Sequence, residues 1–130
     1  MTYETNTNKY KLLIVDDDAA NLKVLNHILK DEYKLFMAKS GSAAVKTAEK
    51  VRPDLILLDI LMPDMDGFEV LGVLQKSDLT RGIPVIFITG LSQSEHEDKG
   101  LALGAVDYIK KPFDRVEVMA RVGRQLGVDK

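Results

Sequence analysis

Four short apolar runs each stop at residues able to serve phosphoryl chemistry. Leu12 to Val15 runs into Asp16 and Asp17, Leu55 to Leu58 into Asp59, Val85 to Ile88 into Thr89, and Tyr108 with Ile109 into Lys110 and Lys111. One polar residue after a run means little, but carboxylates, a hydroxyl and an ammonium together describe a Mg2+-assisted phosphoryl site. Two carboxylates about 4 Å apart repel by about 4 kcal/mol at an effective dielectric of 20, so three of them require a cation or a proton. Oxygen ligands without His or Cys beside them select a hard ion, and Mg2+ shares itself with phosphate oxygens; Mn2+ can substitute. The plain alternative for the first acidic group is helix capping by Asp17 or Asp18. Capping does not account for Asp59, Thr89 and Lys111 at matching strand ends.

Such a site needs the runs to lie side by side. Lys11 to Val15, Leu35 to Ala38, Leu55 to Leu58, Val85 to Ile88 and Val106 to Ile109 are short and mostly continuous, the pattern of strands buried on both faces. Between them Leu22, Leu25 and Leu29, then Ala44, Ala48 and Val51, then Phe68, Leu71 and Leu74 recur at helical spacing. A fourth helix is expected over about Gln93 to Leu103 and a fifth over about Asp114 to Leu126. Asp66 with Glu69, Ser92 with Glu95, and Asp114 with Glu117 have capping-box spacing. Gly41, Pro53, Gly67, Gly82 with Pro84, and Gly104 fall where turns are needed.

Strands alternating with helices imply a parallel sheet with right-handed crossovers, which binds ligands outside the carboxyl ends of its strands. For Asp16 and Asp17 to meet Asp59, the first and third strands must be neighbours. The expected fold is therefore α/β, a single doubly wound (βα)5 domain of strand order 2-1-3-4-5 with helices on both faces. Its expected bounds are residues 9–127, after a disordered lead of residues 1–8 and before a tail of residues 128–130.

Composition excludes several other classes. The 130 residues are 45% apolar, enough for one buried core, and the net charge of −2 gives no general attraction to nucleic acid or anionic lipid. Arg115, Arg121 and Arg124 read as a solvated helix face. No cysteine is present, which fits a reducing compartment, and no apolar stretch approaches a membrane span. The expectation is a cytoplasmic domain that contacts neither nucleic acid nor membrane directly. His27 and His96 lie on expected helices without a partner pattern and read as surface or packing residues. Gly41 and Gly104 belong to no dinucleotide fingerprint, and no phosphate-binding glycine loop occurs.

Ile14-Val15-Asp16-Asp17-Asp18, Asp59 to Gly67 (DILMPDMDG), Ile88-Thr89-Gly90 and Gly104 to Phe113 (GAVDYIKKPF) stand in order along the chain. Together they resemble the receiver domain of bacterial two-component response regulators, the fold of the chemotaxis regulators. The likeness spans about Lys11 to Leu126. It implies that Asp59 is the phosphoacceptor, supplied by a histidine kinase or phosphotransfer protein or by a small acyl phosphate. It implies that Asp17, Asp59 and the backbone carbonyl of Leu61 bind Mg2+ directly, with Asp16 acting through water. Thr89 then binds one phosphoryl oxygen and Lys111 pairs with another; Lys110 is the bland alternative. Family members commonly carry a cis bond before the proline at Pro112, where the residues alone show a turn. Tyr108 is implied to turn inward behind Thr89 and reshape the face of the fourth helix, last strand and fifth helix. An ordinary core aromatic is the plain reading of Tyr108.

Departures from the common pattern bear on rate. Gly90 stands where alanine or serine is usual. Leu61 and Leu91, two residues beyond Asp59 and Thr89, cannot orient an attacking water, so slow self-dephosphorylation is expected. Asn21 stands either at the pocket lip or facing solvent, and Met62-Pro63 reads as a loop anchor. The stretch from Glu97 to Leu126 is similar to receivers set ahead of cyclic-di-GMP domains and to those of hybrid kinases, which are the expected effectors. With about four residues after the fifth helix, an effector is another chain or another part of a longer one. Homodimerisation through the fourth helix, last strand and fifth helix is a further expectation from the resemblance.

Two rival functions share part of this pattern. A haloacid-dehalogenase-like phosphatase shares the D-x-D spacing of Asp16 to Asp18, but it usually has a threonine where Ala20 stands and needs a cap or larger sheet. A receiver-like module that never takes phosphate lacks required side chains, and here all are present.

Overall fold

Three strands whose apolar runs of Val, Ile, Leu and Phe have no polar interruption must be covered on both sides, and this dictates the layers. The computed structural model describes residues 9–90 and 94–128. Its elements are β1 (Lys11–Val15), α1 (Ala19–Leu29), β2 (Lys34–Ala38), α2 (Gly41–Val51), β3 (Leu55–Asp59), α3 (Gly67–Lys76), β4 (Val85–Thr89), α4 (Ser94–Leu103), β5 (Asp107–Lys110) and α5 (Arg115–Leu126). All strand pairs are parallel and the order is β2-β1-β3-β4-β5, as the acidic residues required.

Alternate strand residues feed two cores. Leu13, Val15, Ile56, Leu58, Val85 and Phe87 pack on one face with α2 and α3, while Leu12, Ile14, Leu55, Leu57, Ile86 and Ile88 pack on the other with α1 and α5. Met62 is buried in the first core, anchoring the loop after β3 as expected.

Boundaries moved slightly. The last strand is Asp107–Lys110 rather than Val106 to Ile109: its pairing with β4 runs from Ile86↔Asp107 to Thr89↔Lys110, and Val106 stands just before it. The expected lead of residues 1–8, the Ser92 cap and Leu91 lie outside the described residues. Asp66 and Glu69 form the full capping box of α3, and Asp114 caps α5 by accepting from the Glu117 amide. No described helix is long and apolar enough to cross a membrane.

Candidate functional site at the carboxyl end of the sheet

The acidic pair after β1 is held open by its neighbour. Asp18 caps α1 by accepting from the Ala20 amide at 2.9 Å, so the capping expected of Asp17 or Asp18 falls to Asp18. The Asp18 amide in turn donates to Asp16 Oδ1 at 2.9 Å. Asp16 is fully buried, and its Oδ2 has no hydrogen-bond partner. Asp17 is exposed and belongs to the same acidic cluster.

β3 brings the third carboxylate alongside. Val15 pairs with Leu58, and one oxygen from each of Asp16, Asp17 and Asp59 lies within 4.8 Å of the others. Lys111 reaches into this cluster with Nζ 3.4 Å from Asp59 Oδ1 and 3.6 Å from Asp16 Oδ2. Its backbone is fixed from β4, because the Lys111 amide donates to the Thr89 carbonyl at 2.7 Å. Burial pushes the Asp59 carboxyl up to about 6; the Asp16 charge adds to this, Lys111 opposes it, and Asp17 adds less. One ammonium among three carboxylates leaves a negative excess, and Asp16 Oδ2, buried with no hydrogen bond and with the shared Lys111 ammonium 3.6 Å away, marks where a further cation is wanted. An all-oxygen donor set fits Mg2+.

Thr89 ends β4 beside Asp59's neighbour Ile88 and is 1% exposed. Its hydroxyl donates to Glu97 Oε2 of α4 at 3.4 Å. Tyr108 is half-buried against the first core, with the Arg121 guanidinium 5.2 Å over its ring. Lys110, the bland alternative to Lys111, instead lies 3.8 Å from Glu97. The Lys111-Pro112 bond is cis. Leu61 is 54% exposed after Asp59. Asn21 is half-buried and His27 exposed, and His96 packs edge-on against Phe68.

Three positions gain importance only in the fold. Gly67 sits where a Cβ would come 2.7 Å from the Asp59 carbonyl oxygen, so only glycine lets α3 start so close to β3. Asp64 accepts from the Gly41 and Ser42 amides at 3.0 and 3.1 Å, tying the loop after β3 to α2. Those amides hold its carboxyl below the usual carboxylate range. Glu97 is a buried carboxylate in a helix rich in acidic residues, and its type alone does not single it out from Glu95 or Asp98.

A doubly wound sheet with its acidic cluster outside the carboxyl ends of β1 and β3 defines an α/β domain whose ligand crevice lies at the switch point of strand order. The chain belongs to the response regulator receiver domain family, whose model matches residues 12–123. It is 42% identical over 113 residues to the response regulator PleD of Caulobacter vibrioides, covering 86% of this chain and 25% of PleD. It is 41% identical over 115 residues to a Vibrio cholerae protein named as a probable cyclic di-GMP phosphodiesterase, covering 88% and 26%. The chain thus spans about a quarter of the length of these two curated relatives. Among solved structures, the Vibrio cholerae chemotaxis protein CheY4 superposes with a TM-score of 0.83 at 30% identity, covering 89% of this chain and 98% of that one. The receiver domain of the Pseudomonas aeruginosa sensor histidine kinase PA1611, solved with a magnesium ion in its active-site cleft, gives 0.84 at 29% identity, covering 92% and 98%. The family is one of signalling domains rather than of classical enzymes, and its members bind Mg2+ at an acidic pocket such as the one formed here by Asp16, Asp17 and Asp59.

Proposed function

We propose that the chain is a phosphorylation-dependent switch in which Asp59 accepts a phosphoryl group from a histidine kinase or phosphotransfer protein, or from a small acyl phosphate. The observation that carries this is the convergence of Asp16, Asp17, Asp59 and Lys111 at one crevice, with Thr89 at the next strand end. A carboxyl titrating near 6 is mostly ionised at pH 7, so an Asp59 oxygen can attack phosphorus. The bond from phosphorus to the donor's imidazole nitrogen or acyl oxygen then breaks, and its electron pair leaves with the donor. Lys111 exchanges part of its contact with Asp59 for a phosphoryl oxygen, and the Thr89 hydroxyl donates to another. Asp17, Asp59 and the Leu61 carbonyl would hold Mg2+, with Asp16 through water, and the ion supplies neutralising charge to the transferring group.

Output falls to the face of α4, β5 and α5, where Leu101, Leu103, Val106 and Val116 are exposed apolar residues suited to a partner or a second copy. In this reading Tyr108 reports the change, and the effector is a cyclic-di-GMP domain or hybrid kinase, on another chain or another part of the same one. The setting is cytoplasmic, where such kinases phosphorylate their receivers. Apolar Leu61 at the crevice supports slow self-dephosphorylation; its companion in that reading, Leu91, lies outside the described residues.

The test is intact mass after incubation with acetyl phosphate and Mg2+. The wild type should gain one phosphoryl group and keep it well beyond seconds, and Asp59→Asn should gain none. Equal uptake by the mutant removes Asp59 from its role.

A further inference from the structure

Glu97 is the one carboxylate of α4 that the fold turns inward. Among residues 95–103, only Glu97 and Gly100 are buried, and Glu97 is 8% exposed. A buried carboxylate needs partners to offset its lost hydration. Glu97 has two at the same oxygen: the Thr89 hydroxyl at 3.4 Å and the Lys110 ammonium at 3.8 Å. Thr89 ends β4, the strand beside that of Asp59, and Lys110 is its partner in register on β5.

We propose that Glu97 is a positioning residue that competes with a phosphoryl group on Asp59 for the Thr89 hydroxyl. The proposal rests on the role given to Thr89 above. A hydroxyl carries one proton, and a carboxylate and a phosphoryl oxygen are both pure acceptors, so Thr89 can donate to one or to the other. A phosphoryl oxygen that accepts from the Thr89 hydroxyl therefore takes this donated hydrogen bond away from Glu97. Glu97 is left buried with the more distant and half-exposed Lys110 as its remaining partner. That unmet carboxylate gives α4 a reason to shift, and it links events at Asp59 to a helix that holds no other buried charge among its described residues. Other ties of α4 are the His96 ring edge-on to Phe68, Lys99 Nζ 4.4 Å over the same ring, and the Gln75 side-chain amide donating to the Leu103 carbonyl at 3.0 Å. Gly100 seats α4 on the Phe87 ring, where a Cβ would come within 2.5 Å, but Leu101 and Leu103 stay exposed.

The substitution Glu97→Gln separates competition from packing. A neutral amide is a weaker acceptor than a carboxylate, and its NH2 can donate to Thr89 Oγ1 while the hydroxyl proton serves the phosphoryl oxygen. Glu97→Asp keeps the charge but withdraws it from the hydroxyl, and serves the same purpose if the glutamine variant does not fold by circular dichroism. The experiment measures initial rates of phosphoryl uptake from acetyl phosphate with Mg2+, by intact mass, for wild type, Glu97→Gln, Thr89→Ala and the double mutant. Thr89→Ala should slow uptake. Glu97→Gln should raise it by about three- to tenfold in the wild-type background and leave it unchanged in the Thr89→Ala background. If Thr89→Ala alone changes nothing, the role of Thr89 fails. If Thr89→Ala slows uptake but Glu97→Gln has no effect, or the same effect in both backgrounds, Thr89 keeps its role and the competition by Glu97 is overturned.

Discussion

Helices α3 and α4 follow the two strands that end in Asp59 and Thr89, yet they are held in different ways. α3 starts with both bonds of a capping box, buries Val70, Leu71 and Leu74, and is preceded by a loop tied down at Asp64 and by the Gly67 amide on the Ile60 carbonyl. α4 buries Glu97 and Gly100 among its described side chains and leaves its leucines at 101 and 103 exposed. Apolar burial cannot be exchanged for anything at low cost, whereas a hydroxyl on a carboxylate can be exchanged for a hydroxyl on a phosphoryl oxygen. On the proposed function, the strand end that presents the nucleophile is backed by a helix with three buried apolar side chains, and the one that responds is backed by a helix whose leucines at 101 and 103 stay exposed.

The largest effect should come from the packing difference itself. Leu71→Ala removes a side chain 3% exposed and should destabilise the domain by about 2–5 kcal/mol in urea unfolding, while Leu101→Ala, 43% exposed, should stay within about 0.5 kcal/mol. Similar losses for the two would break the contrast.

A smaller effect tests the electrostatics that the α3 side holds in place. The Asp59 carboxyl titrates near 6 in the folded chain, above its ordinary value of 3.8, so the native state binds that proton more tightly than the unfolded state. The stability gained from protonation is fully present below the unfolded value and is lost as pH rises through about 6. Without Mg2+, Asp59→Asn should therefore stabilise the protein by about 1–2 kcal/mol at pH 7.5, allowing for solvent screening, and by much less at pH 4.5. An equal gain at both pH values contradicts burial and repulsion as the cause. The smallest change is expected from Asp66→Ala, which removes the α3 cap and should cost about 1 kcal/mol without altering the pH dependence.

The continuous apolar runs make the strands legible in the sequence, and the need for Asp16, Asp17 and Asp59 to meet makes the strand order legible there too. Val106 misled at the edge of β5 because an apolar residue type does not reveal at which residue the pairing with β4 begins. The gathering of Asp16, Asp17, Asp59 and Lys111 followed from strand ends, since a parallel sheet puts those ends on one side. Glu97, Asp64 and Gly67 could not be read in the same way. Glu97 sits among Glu95 and Asp98, and which of them turns inward depends on how α4 docks on Phe87. Asp64 and Gly67 matter through contacts with α2 and β3 that lie far from them in sequence or depend on close backbone approach.

The central claim is that phosphorylation at Asp59 is felt on the α4 side and not on the α3 side. Hydrogen exchange read by mass spectrometry, with and without acetyl phosphate in Mg2+ buffer, compares the two directly in one sample. The account predicts altered exchange in peptides covering α4 and β5, unchanged exchange in those covering residues 67–76, and no response in Asp59→Asn. Equal changes in α3 and α4, or the same response in Asp59→Asn, would contradict it.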